Sequence, residues 1–385
     1  MKIVYLSNFF NHHQKPLSDA LYEKTYHQYM FVETKPMPES FKKTGYTEYL
    51  EPYVNRYTNE TKEYIDGEIL NADAVICGEA PAIMIRERAR LGRLIFKDDE
   101  RRYKALIKYL KWPVYTYDSL IYNKGYLLSA SAYGSRDYVL SGMKPDHCFK
   151  WGYFTELRKY DDVEGLMNKK SRESKLSILW ACRLIGWKHP EMAVELARRL
   201  KADGVDFELK MAGRGDKEEY IKGLITKYGL DDVVKFVGPQ KQERLRDLME
   251  ESQIFLATSD QNEGWGATVN ESMNSGCAVV ASHAIGAVPF LIEDGKSGLV
   301  FKSKNVDSMY ERVKWLIEHP DSIQELGKEA YYTVRDVWNA DVASSNLLNL
   351  VDSLKQGVKP NIPYGPCSKA EIFNHTYYNR VITEK

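Results

Sequence analysis

From Leu176 to Phe301 the chain repeats one pattern: a short β-rich apolar run, a polar turn, then a stretch of helical period. The apolar runs are "LSILWACRLI", "DFELKMAGRGD", "VVKFVGP", "QIFLATS", "CAVVASH" and "SGLVF". Between them lie "HPEMAVELARRLKADG", ending at Gly204, then "KEEYIKGLITKYGL", "KQERLRDLMEES" and "ATVNESMNSG", with Gly276 at a C′ position. Strands alternating with helices predict a parallel sheet covered on both faces. The same alternation, less regular, opens the chain. "KIVYLSNFF" reads as a strand, and "PLSDALYEKTY" as a helix starting at Pro16. "ADAVICGEAP", "PVYTYDS" and "YLLSAS" read as further strands, and "AYGSRDYVLSGM" as a helix. The charged segment "ELRKYDDVEGLMNKKSRESK", residues 156–175, reads as a linker or exposed connection. The expected organisation is α/β: a first domain over 1–155, a second over 156–335, and a helix with a tail over 336–385 packing back toward the first domain.

A length of 385 residues suits two such domains. Basic and acidic side chains number 54 each, so the net charge is zero, which argues against nucleic-acid binding by bulk electrostatics. Cys77, Cys148, Cys182, Cys277 and Cys367 are scattered and form no C-x-x-C pair, which reads as reduced thiols in a cytoplasmic setting. The first strand follows Lys2 directly, and no apolar run approaches the roughly 18 residues of a membrane span. The expectation is a soluble chain, at most peripheral to a membrane. One segment bears on that contact: "KDDERRYKALIKYLKWPVY" mixes Arg101, Arg102, Lys104, Lys108 and Lys111 with Tyr103, Tyr109 and Trp112. It reads either as a solvated basic helix or as one that lies on an anionic surface.

The most informative loop is "DQNEGWG", between the strand "IFLATS" and the helix "ATVNESMNSG". Ligands of open α/β sheets bind outside the carboxyl ends of strands, so Glu263 lies where ligands bind. Gly264 and Gly266 let backbone approach a ligand and expose the first N–H groups of the helix, a favourable place for a phosphate. Glu271 follows within the helix, and carboxylates accept hydrogen bonds from the hydroxyls of a sugar or ribose.

"EGWGATVNESMNSGCAVVAS" resembles the E-x7-E segment of retaining GT-B glycosyltransferases, family 4 in particular, with Trp265 at the usual Phe position and Ala278 at the usual Pro position. "CRLIGWKHPEMAVELARRL" resembles the family's G-R-L-x-x-x-K-G-x-x-x-x-I-x-A segment and places Arg183 and Lys188 at its two basic positions. "KMAGRGD" resembles a G-x-G segment, and "AVPFLIEDGKSGLVF" the G-x-P-E-x-I-x-D-G segment, where Phe290 replaces the usual Glu. The motifs span residues 178–301.

The resemblance implies two Rossmann-like domains facing a cleft and a donor that is a nucleotide-diphosphate sugar, UDP or GDP, with no cofactor and no metal. Arg183 and Lys188 would neutralise the diphosphate leaving group, and Glu263 would contact the donor sugar. Glu271 would hold the ribose, and the N–H groups along Gly264, Trp265, Gly266, Ala267 and Thr268 the phosphates. Gly213 belongs to the G-x-G segment, while Gln240 and Lys241 border the nucleobase. The acceptor would be a glycan or a lipid-linked molecule, in bacterial surface polysaccharide synthesis.

The resemblance thins over residues 1–155. "NFFNHHQKP" replaces the glycine-rich loop of many members, leaving His12, His13 and Gln14 as acceptor-side candidates. No counterpart of a mid-domain histidine is found; "ICGEAP" takes that place, with Glu79 as the candidate. "FKWGYFTE" occupies the interdomain position, where Trp151 and Tyr153 either line a hinge or pack. The alternatives are a nucleotide-sugar epimerase of the same fold, a dehydrogenase suggested only by "AGRGDKEE", and a non-catalytic glycan-binding or scaffold protein.

Overall fold

The computed structural model describes residues 1–39, 48–101, 125–171 and 175–373. Among them, one sheet comprises β1 (Ile3–Ser7), β2 (Tyr29–Glu33), β3 (Val54–Arg56), β4 (Ala74–Cys77), β5 (Ile95–Asp99), β6 (Tyr126–Ser129) and β7 (Cys148–Lys150). Their order across it is β3-β2-β1-β4-β5-β6-β7. A second sheet comprises β8 (Leu176–Ala181), β9 (Phe207–Ala212), β10 (Val234–Gly238), β11 (Ile254–Ala257), β12 (Ala278–Ser282) and β13 (Leu299–Phe301), in the order β10-β9-β8-β11-β12-β13. Neighbouring strands pair in parallel throughout both sheets.

Strands β1, β2, β4, β11 and β12 are buried at every residue, as strands with both faces covered must be. In the second sheet, Ile178, Trp180 and Leu209 share one core with Leu196, Leu200 and Ile221 of the flanking helices. The helix Pro190–Ala202 shows how the pattern works: Ala193, Leu196, Ala197 and Leu200 recur at helical spacing and are all buried.

Residues 1–156, together with the described residues from Val337 onward, form one compact unit, and residues 157–336 form the other. The helix Ala340–Gln356 packs on the helix Lys15–Lys24, and Lys24 Nζ donates to the Asp341 carbonyl (2.6 Å) and to Ser345 Oγ (2.6 Å). The tail then runs beside β7. Cys367 N–H donates to the Lys150 carbonyl (2.7 Å), and Lys150 N–H to that of Ser368 (2.8 Å). The tail thereby satisfies an edge strand that would otherwise present open hydrogen-bonding groups.

Strand order reverses between β1 and β4 in the first sheet and between β8 and β11 in the second. In open parallel sheets such reversal points are where ligands bind, outside the strands' carboxyl ends. The His12–Gln14 loop follows β1 and Glu79 follows β4; Arg183 and Lys188 follow β8 and Glu263 follows β11.

The segment read as a linker is corrected by the structure: it contains the helix Val163–Ser171. Val163, Leu166 and Met167 are buried at helical spacing, and Lys170 completes the same face. That lysine donates from Nζ to the carbonyls of Met249 (2.7 Å) and Ser252 (2.6 Å). A cation standing at an interior position hides the apolar face from pattern reading. Strands β2, β3 and β5 were not anticipated either, while β7 falls at the start of "FKWGYFTE", where the resemblance implied an interdomain strand. β3 and β7 are three residues each, too short to show a period. The strand expected at "PVYTYDS" and the basic stretch from Arg102 to Trp112 lie outside the described residues.

Candidate functional site

The second unit's site is built from the loops after β8 and β11. After β8 the chain passes Arg183, makes a short turn over Gly186–Lys188, and enters the helix at Pro190 through His189, whose backbone is left-handed at φ 50°. Two strands fix the Lys188 backbone. Trp180 Nε1 on β8 donates to Thr258 Oγ1 (2.8 Å), and that hydroxyl donates to the Lys188 carbonyl (2.6 Å). The Asp260 N–H donates to the Trp187 carbonyl (3.0 Å), tying the second loop to the first.

Lys188 Nζ donates to Glu263 Oε2, and the two side chains are only 11% and 14% exposed. An ion pair this withdrawn from water is costly to break from one side, because the charge left behind is buried without its partner. Burial pushes the Lys188 amine down; the Cys182 sulfur and the Glu263 carboxylate more than offset this, leaving it above its ordinary value. Burial also suppresses ionisation of the Cys182 thiol, so at neutral pH Glu263 supplies the countercharge. Trp187 carries both cations on its ring: Lys188 Nζ lies 4.4 Å from the centroid and the Arg183 guanidinium carbon 5.7 Å. Arg183 itself is exposed.

Gly266 caps the helix Ala267–Asn274 at φ 97°, a conformation that favours glycine, and a Cβ there would lie 2.8 Å from Ile285 Cγ2. Its neighbour Trp265 points inward. The indole is buried and donates to Asn270 Oδ1 (2.7 Å), so the Trp265 ring is part of the interior. Ala267 and Thr268 are half-buried at the helix start, where the first N–H groups have no intrahelical acceptor. Glu271, 4% exposed, receives the Gln242 amide (3.3 Å). Burial raises its carboxyl to about 7, against the opposing pull of Arg246 and Gln242.

The remaining candidates are less central. Gly213, at φ 137°, lets the loops after β8 and β9 touch, because a Cβ there would stand 1.9 Å from the Cys182 carbonyl oxygen. Its N–H donates to the Gly238 carbonyl (2.9 Å). Gly213 therefore supports the Arg183 loop from behind. Gln240 Nε2 turns back to the Val237 carbonyl (2.6 Å), and Lys241 is exposed before the helix Gln242–Glu251.

In the first unit, the Gln14 side-chain oxygen accepts from Asn11 N–H (3.1 Å) and Asn11 Oδ1 from His13 N–H (2.9 Å), closing the turn after β1. His13 is held neutral, with burial lowering its imidazole to about 3, and burial lowers His12 as well. Glu79, exposed, accepts from Asn8 Nδ2 (2.7 Å) across the β1–β4 reversal. Trp151 is buried against Phe154, which is packing.

Sequence reasoning missed a row of carboxylates at the end of β5. Asp98 receives the Tyr5 hydroxyl, Asp99 that of Tyr138 (2.5 Å) and Glu100 that of Tyr153 (2.7 Å). Burial raises the Asp98 carboxyl to about 7. The acidic run after a strand was the available signal. Trp187, His189 and Asp260 were missed too, although His189 stands at the glycine of the motif quoted for this segment. Among the described residues, no three His, Cys, Asp or Glu side chains are grouped to hold a metal ion. No described helix is long and apolar enough to cross a membrane.

Residues 165–333 match the family of glycosyl transferases group 1. That segment holds Arg183, Lys188, Glu263 and Glu271. The chain is 30% identical over 184 residues to the amylovoran biosynthesis glycosyltransferase AmsK of Erwinia amylovora, a match covering 46% of this chain and 45% of AmsK. It is 27% identical over 186 residues to WcaL of Salmonella typhimurium, named for a glycosyltransferase of colanic acid biosynthesis, covering 46% and 45%. The chain thus spans about half the length of the curated relatives it matches. Solved structures match over nearly the whole chain. HepE of Anabaena in complex with UDP has a TM-score of 0.69 at 14% identity, covering 92% of this chain and all of that one. The lipopolysaccharide outer core galactosyltransferase WaaB, in its apo form, has a TM-score of 0.67 at 15% identity, with 92% of this chain covered. At such identities the likeness is one of fold: two Rossmann-like parallel-sheet domains of the GT-B class.

Proposed function

We propose that this chain is a retaining, metal-independent glycosyltransferase that moves a sugar from a UDP- or GDP-linked donor to a glycan or lipid-linked acceptor during surface polysaccharide assembly. The observation that carries the reading is the meeting of Lys188, Arg183 and Trp187 with Glu263 and a glycine-capped helix start at the reversal point of the second sheet. The matches to AmsK and WcaL support the polysaccharide setting, and HepE is a UDP-bound protein of the same fold.

In this mechanism the donor diphosphate takes the helix N–H groups and the two cations, which neutralise the charge that develops as the sugar leaves. Lys188 turns part of its hydrogen bonding from Glu263 to phosphate, and the released carboxylate oxygen accepts from a donor-sugar hydroxyl. Glu271 accepts from the ribose. The bond between the anomeric carbon and the phosphate oxygen breaks, and the bond to the acceptor oxygen forms on the same face. The acceptor proton passes to the departing phosphate oxygen, so no separate base is required. The acceptor is assigned to the first unit, beside His12, His13, Gln14 and Glu79.

Calorimetric titration with UDP, GDP and ADP, without metal, tests this on the wild type and on Arg183→Ala/Lys188→Ala. Binding of one nucleotide by the wild type and its loss in the double variant is expected. A folded wild type that binds none of the three would overturn the reading.

A further inference from the structure

Beyond the residues assigned above, one polar group connects both halves of the site. Asp260 follows β11 and is 3% exposed. Its backbone N–H donates to the Trp187 carbonyl (3.0 Å), and its own carbonyl accepts from the Glu263 N–H (3.0 Å). Its side chain reaches further. Oδ1 accepts from the Asn262 N–H (2.9 Å) and Nδ2 (2.9 Å); Oδ2 accepts from His189 Nε2 (3.2 Å) and Lys304 Nζ (2.8 Å). The other ring nitrogen of His189 meets Glu191 Oε1 (2.9 Å).

His189 is not a free choice of residue for its backbone. At φ 50° and ψ 52° a residue with a Cβ pays a conformational penalty that glycine would not. The structure holds a histidine there with both ring nitrogens bound to carboxylates, which stabilises the turn from the side chain. This turn sets where Lys188 emerges, one residue earlier.

We propose that the Asp260–His189–Glu191 bracket is a positioning device: it fixes the turn that aims Lys188 and the turn that presents Glu263, so that the two meet a donor diphosphate in register. The inference rests on the glycosyltransferase reading for the identity of that ligand. It assigns to Asp260 and His189 no contact with substrate. The charges are consistent with this role. Hydrogen bonds to Asp260 and then Glu191 raise His189 to about 9, and burial only partly opposes them. The ring is therefore cationic at neutral pH, facing Asp260 with its second cation Lys304, and Glu191 with Lys217 nearby. Since the folded value lies above the ordinary 6.5, the stabilisation is complete below about 6.5 and is lost as pH rises through about 9.

The test measures, by calorimetry, the affinity for whichever of UDP, GDP or ADP the wild type binds, in the wild type, Lys188→Ala, Asp260→Asn, His189→Gly and the double variant Lys188→Ala/Asp260→Asn. Circular dichroism and thermal melting identify any variant that fails to fold, and His189→Gly keeps the left-handed turn accessible if Asp260→Asn does not fold. Both single bracket variants are expected to bind that nucleotide about tenfold more weakly, while Asp260→Asn adds little once Lys188 is gone. Wild-type affinity in either folded bracket variant, or a full additional loss in the double variant, overturns the inference and leaves the functional reading standing. A wild type that binds none of UDP, GDP or ADP removes the functional reading, and the inference falls with it.

Discussion

Glu271→Gln should make the protein more stable at pH 8 and leave its stability almost unchanged at pH 4.5. The wild-type carboxyl is buried and raised from its ordinary 4.5 to about 7. Between those values the unfolded chain releases this proton while the folded chain retains it, so wild-type stability falls as pH rises through the window. Above about 7 the folded protein carries the full cost of a buried carboxylate. A displacement from 4.5 to about 7 corresponds to roughly 3 kcal/mol as a ceiling. Glutamine removes that cost and keeps the side chain's length and its oxygen for the Gln242 amide. For a unit of this size, each kcal/mol moves the melting temperature by about 2–4 °C. Scanning calorimetry of both proteins from pH 4.5 to 8 should thus show a difference opening with pH, reaching at most about 12 °C. Under the proposed mechanism the same variant should bind nucleotide more weakly above about pH 7, where the wild-type Glu271 offers the ribose a charged acceptor and glutamine does not. A melting difference that is constant across the series, or of opposite sign at pH 8, would refute the argument from burial.

Trp187→Leu removes the ring beneath both cations and should weaken binding of the donor nucleotide about three- to tenfold by calorimetry, with little change in melting. Gly213→Ala places a Cβ 1.9 Å from the Cys182 carbonyl oxygen at φ 137°, and should cost at least about 3 kcal/mol in urea unfolding. Gly186→Ala, with nothing within 4 Å of the added Cβ, is its control and should be near neutral. Lys170→Met removes the charged donor shared by the Met249 and Ser252 carbonyls, leaving them the Ser252 N–H and the weak Cys277 thiol, and should destabilise by about 1–3 kcal/mol, read as a lowered melting temperature.

The site was legible in part, and the boundary has a physical cause. Glu263 stood out from its place in a glycine-rich loop after a strand, while Arg183, Lys188 and the role of Glu271 came from the resemblance of the quoted motifs to those of GT-B glycosyltransferases, whose order along the chain is itself a local property. Trp187 did not, because a tryptophan in a loop has no spacing that announces two cations on its face. His189 and Asp260 lie 71 positions apart, and only the folded loops bring their side chains to 3.2 Å. The tyrosine–carboxylate pairs of the first unit, such as Tyr5 with Asp98, were hidden for the same reason.

By itself the sequence determined the alternation of strands and helices, the parallel character of both sheets and the loops at their carboxyl ends. Those follow from periodicity, glycine placement and burial of runs a few residues long, all local quantities. Tertiary structure alone decided the strand order, and with it which loops flank each reversal point. It decided that the apparent linker carries a helix, by giving Lys170 two carbonyls in the interior. It also set the charge states of His13, His189 and Glu271, because burial and the partners that oppose it come from segments far apart in the chain.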